Sequence, residues 1–389
     1  QRQPMKAGNL KGTPIWSLAS SRGKRVCVFN VPVTYPATPV NGILISGMDA
    51  PSFNDQAIFP LGQKSRFLSA VPNYKVSSDV DAKYLLNNSQ DPAGDCMGQL
   101  KAHLEMEIRA INHLMRIENW DLFVGVIRST DSFQHIFWAD TEKVITGEPV
   151  TAEESRRAEA VFTCYESIDR ELGETWLSWC SDRTIIFMSD HGFGKLRSDV
   201  CLNRVLADAG LLKFIPRQRK RSRAYLVEKL QAHMSVQNRQ RIKRVLGKDE
   251  TDQRWQLFVD SLIADIDWSQ TRLAAIAQHG CLYVNLKDRD PLGLVAGEAE
   301  RQAVLAEAET VLSQLVDPED GLPVVSEIYR KEEIYSGPLM PEMPDMVVNM
   351  RNWSYRGISS TAIELAEESI FRSQSDEWKQ LAHTGCHRL

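Results

Sequence analysis

Short apolar runs along the chain alternate with longer stretches in which apolar residues recur every three or four positions. The runs are rich in β-branched residues, as in buried parallel strands, and the stretches have the spacing of amphipathic helices. In the first half, the predicted strands are 24–30, 42–47, 122–127 and 184–188, and the predicted helices are 99–120 and 152–179. Strands joined by helix-length connections favour a parallel sheet, so we predict an α/β fold with a doubly wound, mostly parallel sheet flanked by helices.

The pattern changes after residue 194. Residues 200–270 look helical, whereas the later sequence predicts strands at 281–286, 324–329 and 345–350 and a helix at 297–315. Residues 217–244 hold ten Lys or Arg against one Glu, a local charge of +9. We therefore expect a basic helical insertion or cap at 213–270, between core segments 1–212 and 271–389. Residues 48–95, rich in Pro, Asn, Asp and Ser, read as irregular surface.

Length, composition and net charge exclude few classes of protein or partner. The chain has 389 residues, 43% hydrophobic content and a net charge of −5, all ordinary for a globular protein and favouring no partner class. The apolar runs are shorter than the ~20 residues that span a bilayer. Seven cysteines without CxxC spacing argue against a disulfide framework, and we expect most of them to be buried. A cytoplasmic location is favoured, and we expect the natural amino terminus to lie upstream of Gln1.

Two Asp/His clusters follow predicted strands and contain the candidate metal ligands. Asp131 and His135 come after strand 122–127, and Asp190 and His191 come after strand 184–188. Ligands of open α/β sheets bind beyond the carboxyl ends of the strands. Asp131 and His135 are four residues apart, which on a helix places both on one face. Carboxylate and imidazole suit Zn²⁺ and also admit Mn²⁺ or Fe. Because such a cluster occurs twice, we predict a two-metal site.

Other interpretations stay open for the Asp/His clusters, for the basic segment and for the remaining His and Cys residues. An Asp after a strand often caps the next helix, and a basic insertion can bind a polyanion. We expect the basic segment to be a solvated helical face, because only Tyr225 interleaves an aromatic ring. His387 could add a nitrogen ligand, Cys386 beside it reads as a bystander, and His103 and His113 read as surface or helix-face positions. No GxSxG elbow, P-loop or GxGxxG motif is present.

Several motifs resemble the type I phosphodiesterase/nucleotide pyrophosphatase family of the alkaline phosphatase superfamily. They are Asn30-Val31-Pro32-Val33-Thr34-Tyr35-Pro36, Ser129-Thr130-Asp131-Ser132-Phe133-Gln134-His135, Ser189-Asp190-His191-Gly192-Phe193-Gly194, Met343-Pro344-Asp345 and Gly385-Cys386-His387-Arg388. The resemblance implies a two-metal phosphoryl-transfer core, with Zn²⁺ or Mn²⁺. Asp131, His135 and His387 would hold one metal, and Asp190 with His191 would help to hold the other.

The resemblance also implies features without a counterpart here. The family has an Asp ligand and a Thr or Ser nucleophile near its amino terminus, and both normally precede the region matching Gln1. We therefore expect a fragment with little activity of its own. Thr130 adjoins the first cluster but matches no family nucleophile.

The function expected from the resemblance is hydrolysis of phosphodiester or pyrophosphate bonds through a covalent phosphoenzyme. Phosphomonoesters are a further substrate class, and the substrate is expected to be small and phosphorylated or nucleotide-like. Two alternatives remain: a catalytically inactive binding protein that retains the fold, and a phosphomutase or phosphonate hydrolase of the same superfamily. Substrate identity and oligomeric state have no readable signal.

Overall fold

The computed structural model describes residues 7–78, 80–179, 181–215, 266–276, 279–358, 370–372 and 384–388. The described chain divides into a first unit that ends at Asp190 and a second unit that begins at His191. Most of the predicted insertion, including the basic segment 217–244, lies outside the described residues, as do His233 and His383. None of the described helices is long and apolar enough to cross a membrane.

One four-stranded sheet organises the first unit. Its strands are β1 (Val26–Val31), β2 (Gly42–Ser46), β3 (Ile58–Phe59) and β4 (Leu122–Gly125). They lie in the order β3-β2-β1-β4, with β2 and β4 parallel to β1 and the short β3 antiparallel to β2. The mostly parallel sheet predicted for this half is thus confirmed.

Both faces of β1 are buried, because successive side chains point to opposite sides of the sheet. Cys27 and Phe29 belong to one apolar cluster, whereas Val26 and Val28 pack on the other side with Leu44. A strand covered on both faces reads as a continuous apolar run, which is why the sequence identified it.

Helices supply the covering layers of this unit. They are α1 (Ile15–Ser21), α2 (Lys64–Ala70), α3 (Ala82–Asn88), α4 (Pro92–Ile117), α5 (Ser129–Thr146), α6 (Ala152–Glu171) and α7 (Leu177–Trp179), with a π-helical turn at Leu172–Trp176. The two predicted helices are confirmed. α4 starts earlier than expected, because the Asp91 side chain accepts the Gly94 N–H and Pro92 fits the first turn. Thr151 and Glu154 form a capping box that starts α6.

The expectation of irregular surface for 48–95 is wrong in part. α2 and α3 lie in this segment, and Phe67 and Tyr74 are buried. Their rings meet edge to face with centroids 5.0 Å apart, and Phe53 packs on both. The polar residues between these aromatics hid a small apolar core from the sequence pattern.

The predicted strand 184–188 is wrong. Its residues form no strand in the described structure, and Ile186, Phe187 and Met188 are 78%, 56% and 86% exposed. A β-forming pattern shows only that a segment would fit a sheet, whereas a strand also needs a partner edge. Asp190 therefore follows a segment without regular secondary structure, not a strand end.

The second unit contains three small sheets. Its strands are β5 (Gly192–Lys195), β6 (Ser198–Cys201), β7 (Leu273–Ala275), β8 (Cys281–Val284), β9 (Val325–Arg330), β10 (Met346–Met350), β11 (Tyr355–Ile358), β12 (Phe371–Arg372) and β13 (Gly385–Arg388). Its helices are α8 (Leu202–Asp208), α9 (Gly297–Ser313) and α10 (Lys331–Ile334).

Strand direction in the second unit differs from the prediction of a mostly parallel sheet. In the sheet β7-β8-β10-β9 every neighbouring pair is antiparallel, and β13 runs antiparallel to β5. Among the strands that the structure describes in this unit, only β6 and β11 pair in parallel. The apolar runs located β8, β9 and β10, but a period-two pattern does not specify the direction of the partner.

A buried carboxylate ties the second unit together. Asp345, fully buried at the start of β10, accepts hydrogen bonds from Arg301 Nε, Lys331 Nζ and Val284 N, each at 2.9 Å. Arg289 Nη1 lies 3.3 Å from the Oδ2 atom of Asp345. The carboxylate thereby joins β8, α9, α10 and β10 around one charge.

Candidate metal centre

α5 carries the first Asp/His cluster directly after the sheet. β4 ends at Gly125 and α5 begins at Ser129, so Asp131 lies in the first turn and His135 one turn later. The Asp131 Oδ1 and His135 Nε2 atoms are 3.3 Å apart, and the side chains are 28% and 21% exposed. The helical spacing predicted from the sequence is confirmed, and it presents one carboxylate oxygen and one imidazole nitrogen together.

This donor pair fits a divalent cation. Ligands bound to Zn²⁺ at ~2.0–2.1 Å in a tetrahedron lie ~3.3–3.4 Å from each other, and the Asp131–His135 separation is 3.3 Å. Carboxylate and imidazole are also acceptable to Mn²⁺, so the pair does not choose between the metals.

The start of α5 is held by a buried glutamate of α4. Glu107 Oε1 accepts the Arg128 N–H at 3.1 Å, and Glu107 Oε2 accepts the Ser129 N–H at 3.1 Å and the Ser129 hydroxyl at 2.6 Å. Arg128, the residue before the helix, makes no capping bond with its own side chain. Glu107 therefore caps α5 from a distance and also places negative charge at its positive end.

Asn30 connects this cap to β1. It is buried with a positive φ of 61°, and its Nδ2 donates to Glu107 Oε1 at 2.9 Å and to the Val126 carbonyl at 3.1 Å. Burial raises the pKa of Glu107, and the bonds from Ser129 and Arg128 oppose that shift without cancelling it.

Sequence reasoning missed Glu107, although a signal was present. Glu107 lies between Leu104 and Ile108 on the apolar side of α4, where a charged residue is costly unless it is paired. His103, expected at a surface or helix-face position, lies on α4, but a surface position is wrong for it, because this side chain is only 7% exposed. Burial, with Arg128 and Lys75 adding repulsion, lowers the pKa of His103 to about 4.

The Glu107→Gln variant should unfold about 1–3 kcal/mol more easily than the unaltered chain. Both carboxylate oxygens of Glu107 accept hydrogen bonds, whereas the amide of Gln has one acceptor oxygen and one NH₂ group. In either orientation of the amide, the NH₂ group would therefore face an N–H or O–H donor. The variant should also bind Zn²⁺ more weakly, since α5 loses its cap. Urea unfolding and Zn²⁺ titration measure the two effects. Glu105→Gln, on the exposed side of α4, is the control, and equal behaviour of both variants would refute the capping role.

In the second unit, β5 and β13 bring His191 and His387 together. His387 pairs in register with Phe193, and the His191 and His387 rings stack with centroids 3.6 Å apart and planes 20° apart. His191 Nδ1 lies 3.1 Å from the Gly192 carbonyl. A carbonyl only accepts, so Nδ1 carries the proton in this bond and Nε2 carries the lone pair of the neutral ring.

Cys386 is not positioned as a ligand. Its thiol is buried and donates to the Trp353 carbonyl, and alternation along β13 directs Cys386 and His387 to opposite faces. The six cysteines that the structure describes are thiols rather than disulfides, and five of them are buried, as the sequence predicted for most of them.

His279 is a further ring near this pair that the sequence gave little reason to select. Its ring is nearly parallel to that of His387, with centroids 6.1 Å apart and planes 10° apart. It is exposed, and its backbone has a positive φ of 64° just before β8. In the sequence, the tight turn at His279 is indicated only by the Gly280 that follows it.

The comparisons with known proteins bear on these residues. The model of the type I phosphodiesterase / nucleotide pyrophosphatase family matches residues 2–364. No curated protein and no solved structure matches the chain. The matched range includes both Asp/His clusters and ends before His387, and it does not support the expectation that an amino-terminal family segment is missing.

Proposed function

The chain belongs to the type I phosphodiesterase/nucleotide pyrophosphatase family, and on this premise we propose that it is a metal-dependent phosphohydrolase acting on phosphodiester or pyrophosphate bonds. Family membership itself implies phosphoester hydrolysis. The observation that carries the finer proposal is the Asp131–His135 pair, which has the separation of two ligands on one cation.

The proposed ligands are those of the sequence motifs. Asp131 and His135 bind the first cation, with His387 added by motif, and Asp190 and His191 bind the second. Two divalent cations held in this way would stabilise the attacking and leaving oxygens of a displacement at phosphorus.

The chain's own residues orient these ligands. Glu107 fixes the start of α5 and hence the direction of Asp131 and His135. The Gly192 carbonyl fixes the tautomer of His191. We leave the nucleophile of the proposed covalent mechanism unassigned, because the Thr130 hydroxyl beside Asp131 donates to the Ile127 carbonyl.

Hydrolysis of bis-p-nitrophenyl phosphate, p-nitrophenyl phosphate and a phenylphosphonate ester tests the proposal. We expect the diester to be hydrolysed faster than the monoester, with activity lost in chelator and restored by Zn²⁺ or Mn²⁺. Activity that survives the chelator would overturn metal dependence. No activity with either metal would favour a binding protein that retains the fold, and preference for the phosphonate ester would favour the phosphonate hydrolases.

A further inference from the structure

A polar cleft lies between α4 and α6 in the first unit, and none of the proposed metal ligands lines it. Its volume is about 670 Å³, within the range of small-molecule sites. From α4 it is lined by Lys101, Arg109 and Arg116, and from α6 by Arg170. We call it the α4–α6 cleft.

The two helices face this cleft with polar stripes. Lys101, Glu105 and Arg109 follow one another at intervals of four on α4, and Thr163, Ser167 and Arg170 do the same at intervals of four and three on α6. Such spacing places each set on one side of its helix. Facing sides of packed helices are usually apolar, so two facing polar stripes around open space are typical of a site for a polar ligand.

No described residue pairs directly with the cations of the cleft. The side chains of Lys101, Arg109, Arg116 and Arg170 make no hydrogen bond or ion pair within the described structure. Glu105 lies one helical turn from both Lys101 and Arg109, yet it forms an ion pair with neither. Four positive and two negative side chains leave the lining with a net charge of +2, counting Glu105 and Glu171.

The wall near Arg116 is held in place by hydrogen bonds. Asn112 Nδ2 donates to Glu171 Oε2 at 2.9 Å, and Asn112 Oδ1 accepts the Trp176 Nε1–H at 2.7 Å. Glu171 is therefore occupied and does not pair with the arginines. Trp176 ends the π-helical turn, a rare geometry that is frequent at functional sites.

A second cavity of about 250 Å³ shares Asn112 and Arg116 with the cleft. It continues along the π-helical turn, where Glu174 and Thr175 line it. The cations that line the cleft therefore lie on the side of Arg116 away from Glu174, since the second cavity adds no further cation.

We propose that the α4–α6 cleft binds a small oligophosphate, of which pyrophosphate is the simplest. Guanidinium groups bind phosphate oxygens with paired, charge-assisted hydrogen bonds, and three of the four cations are arginines. The Thr163 hydroxyl adds a neutral donor at the same surface, whereas the Ser167 hydroxyl donates to the Thr163 carbonyl at 2.8 Å. This site is independent of the proposed hydrolysis, because it needs no divalent cation.

Isothermal titration with pyrophosphate in the presence of chelator tests the proposal. The unaltered chain should bind it saturably, and orthophosphate should bind at least about tenfold more weakly because it contacts fewer cations. In Arg109→Gln/Arg170→Gln, the affinity for pyrophosphate should fall at least about tenfold. The control Arg22→Gln/Lys287→Gln removes two exposed charges elsewhere and should leave it unchanged.

Three results would overturn the proposal: no saturable binding, equal affinity for orthophosphate, or equal weakening in both double variants. An Asp131→Asn/His135→Gln variant should bind pyrophosphate as well as the unaltered chain does. Loss of binding in that variant would assign the pyrophosphate to the metal centre and refute the cleft. Failure of the proposed hydrolysis would leave this binding intact, so the two proposals fail separately.

Discussion

Replacing Asp131 by Asn and His135 by Gln together should lower kcat/KM for bis-p-nitrophenyl phosphate by about 1000-fold. The pair offers one oxygen and one nitrogen 3.3 Å apart, and the substitutions leave only neutral amides in their place. A bound cation supplies several kcal/mol of transition-state stabilisation, and ~4 kcal/mol corresponds to ~10³ in rate. Steady-state kinetics over a range of Zn²⁺ and Mn²⁺ concentrations measures the effect.

The matched control is Glu142→Gln, which removes another carboxylate of α5. Glu142 lies more than two turns beyond Asp131, and its side chain makes no ion pair in the described structure. Its kinetics should be unchanged. Zn²⁺ affinity provides a second readout, since it should fall in the double variant while urea unfolding stays similar. Full activity of the double variant at saturating metal would refute the assignment of these ligands.

Replacing Asp345 by Ala should destabilise the second unit by about 3–5 kcal/mol, the cost of breaking a buried ion pair. The substitution leaves Lys331 and Arg301, both almost fully buried, without their shared carboxylate. The Val284 N–H also loses its acceptor. The midpoint of urea unfolding, followed by a probe in the second unit, should move to lower concentration.

The pH dependence gives a separate readout. Burial opposes ionisation of Asp345, but Lys331, the Val284 N–H, Arg289 and Arg301 outweigh it and hold its pKa below the usual value. A depressed pKa stabilises the fold above the unfolded-state pKa, about 4, and this stabilisation is lost as the pH falls through the folded-state pKa. The stability difference between the unaltered chain and Asp345→Asn should therefore be full at pH 6 and shrink below pH ~4.

Asp288→Ala is the control for this experiment. Asp288 is exposed and makes no ion pair among the described residues. Its unfolding midpoint should match that of the unaltered chain. If Asp345→Ala unfolds at the same urea concentration as Asp288→Ala, the carboxylate does not stabilise the unit.

Local pattern determined much of the first unit. The apolar runs located β1, β2 and β4, and the three-to-four spacing located α4 and α6, because burial on one side of a helix or both faces of a strand leaves a periodic trace. The spacing of Asp131 and His135 likewise determined that they share a helix face, since that relation is set within one element.

Only the tertiary structure decided which distant groups meet. Glu107 caps α5 from 22 positions upstream of Ser129, and Asn30 reaches Glu107 across 77 positions. The same holds for segment 184–188, which has a strand's composition but no partner edge, and for the antiparallel β9 and β10. Periodicity records how much of an element is buried and on which side, whereas pairing and capping depend on partners brought together by the fold, which local sequence does not specify.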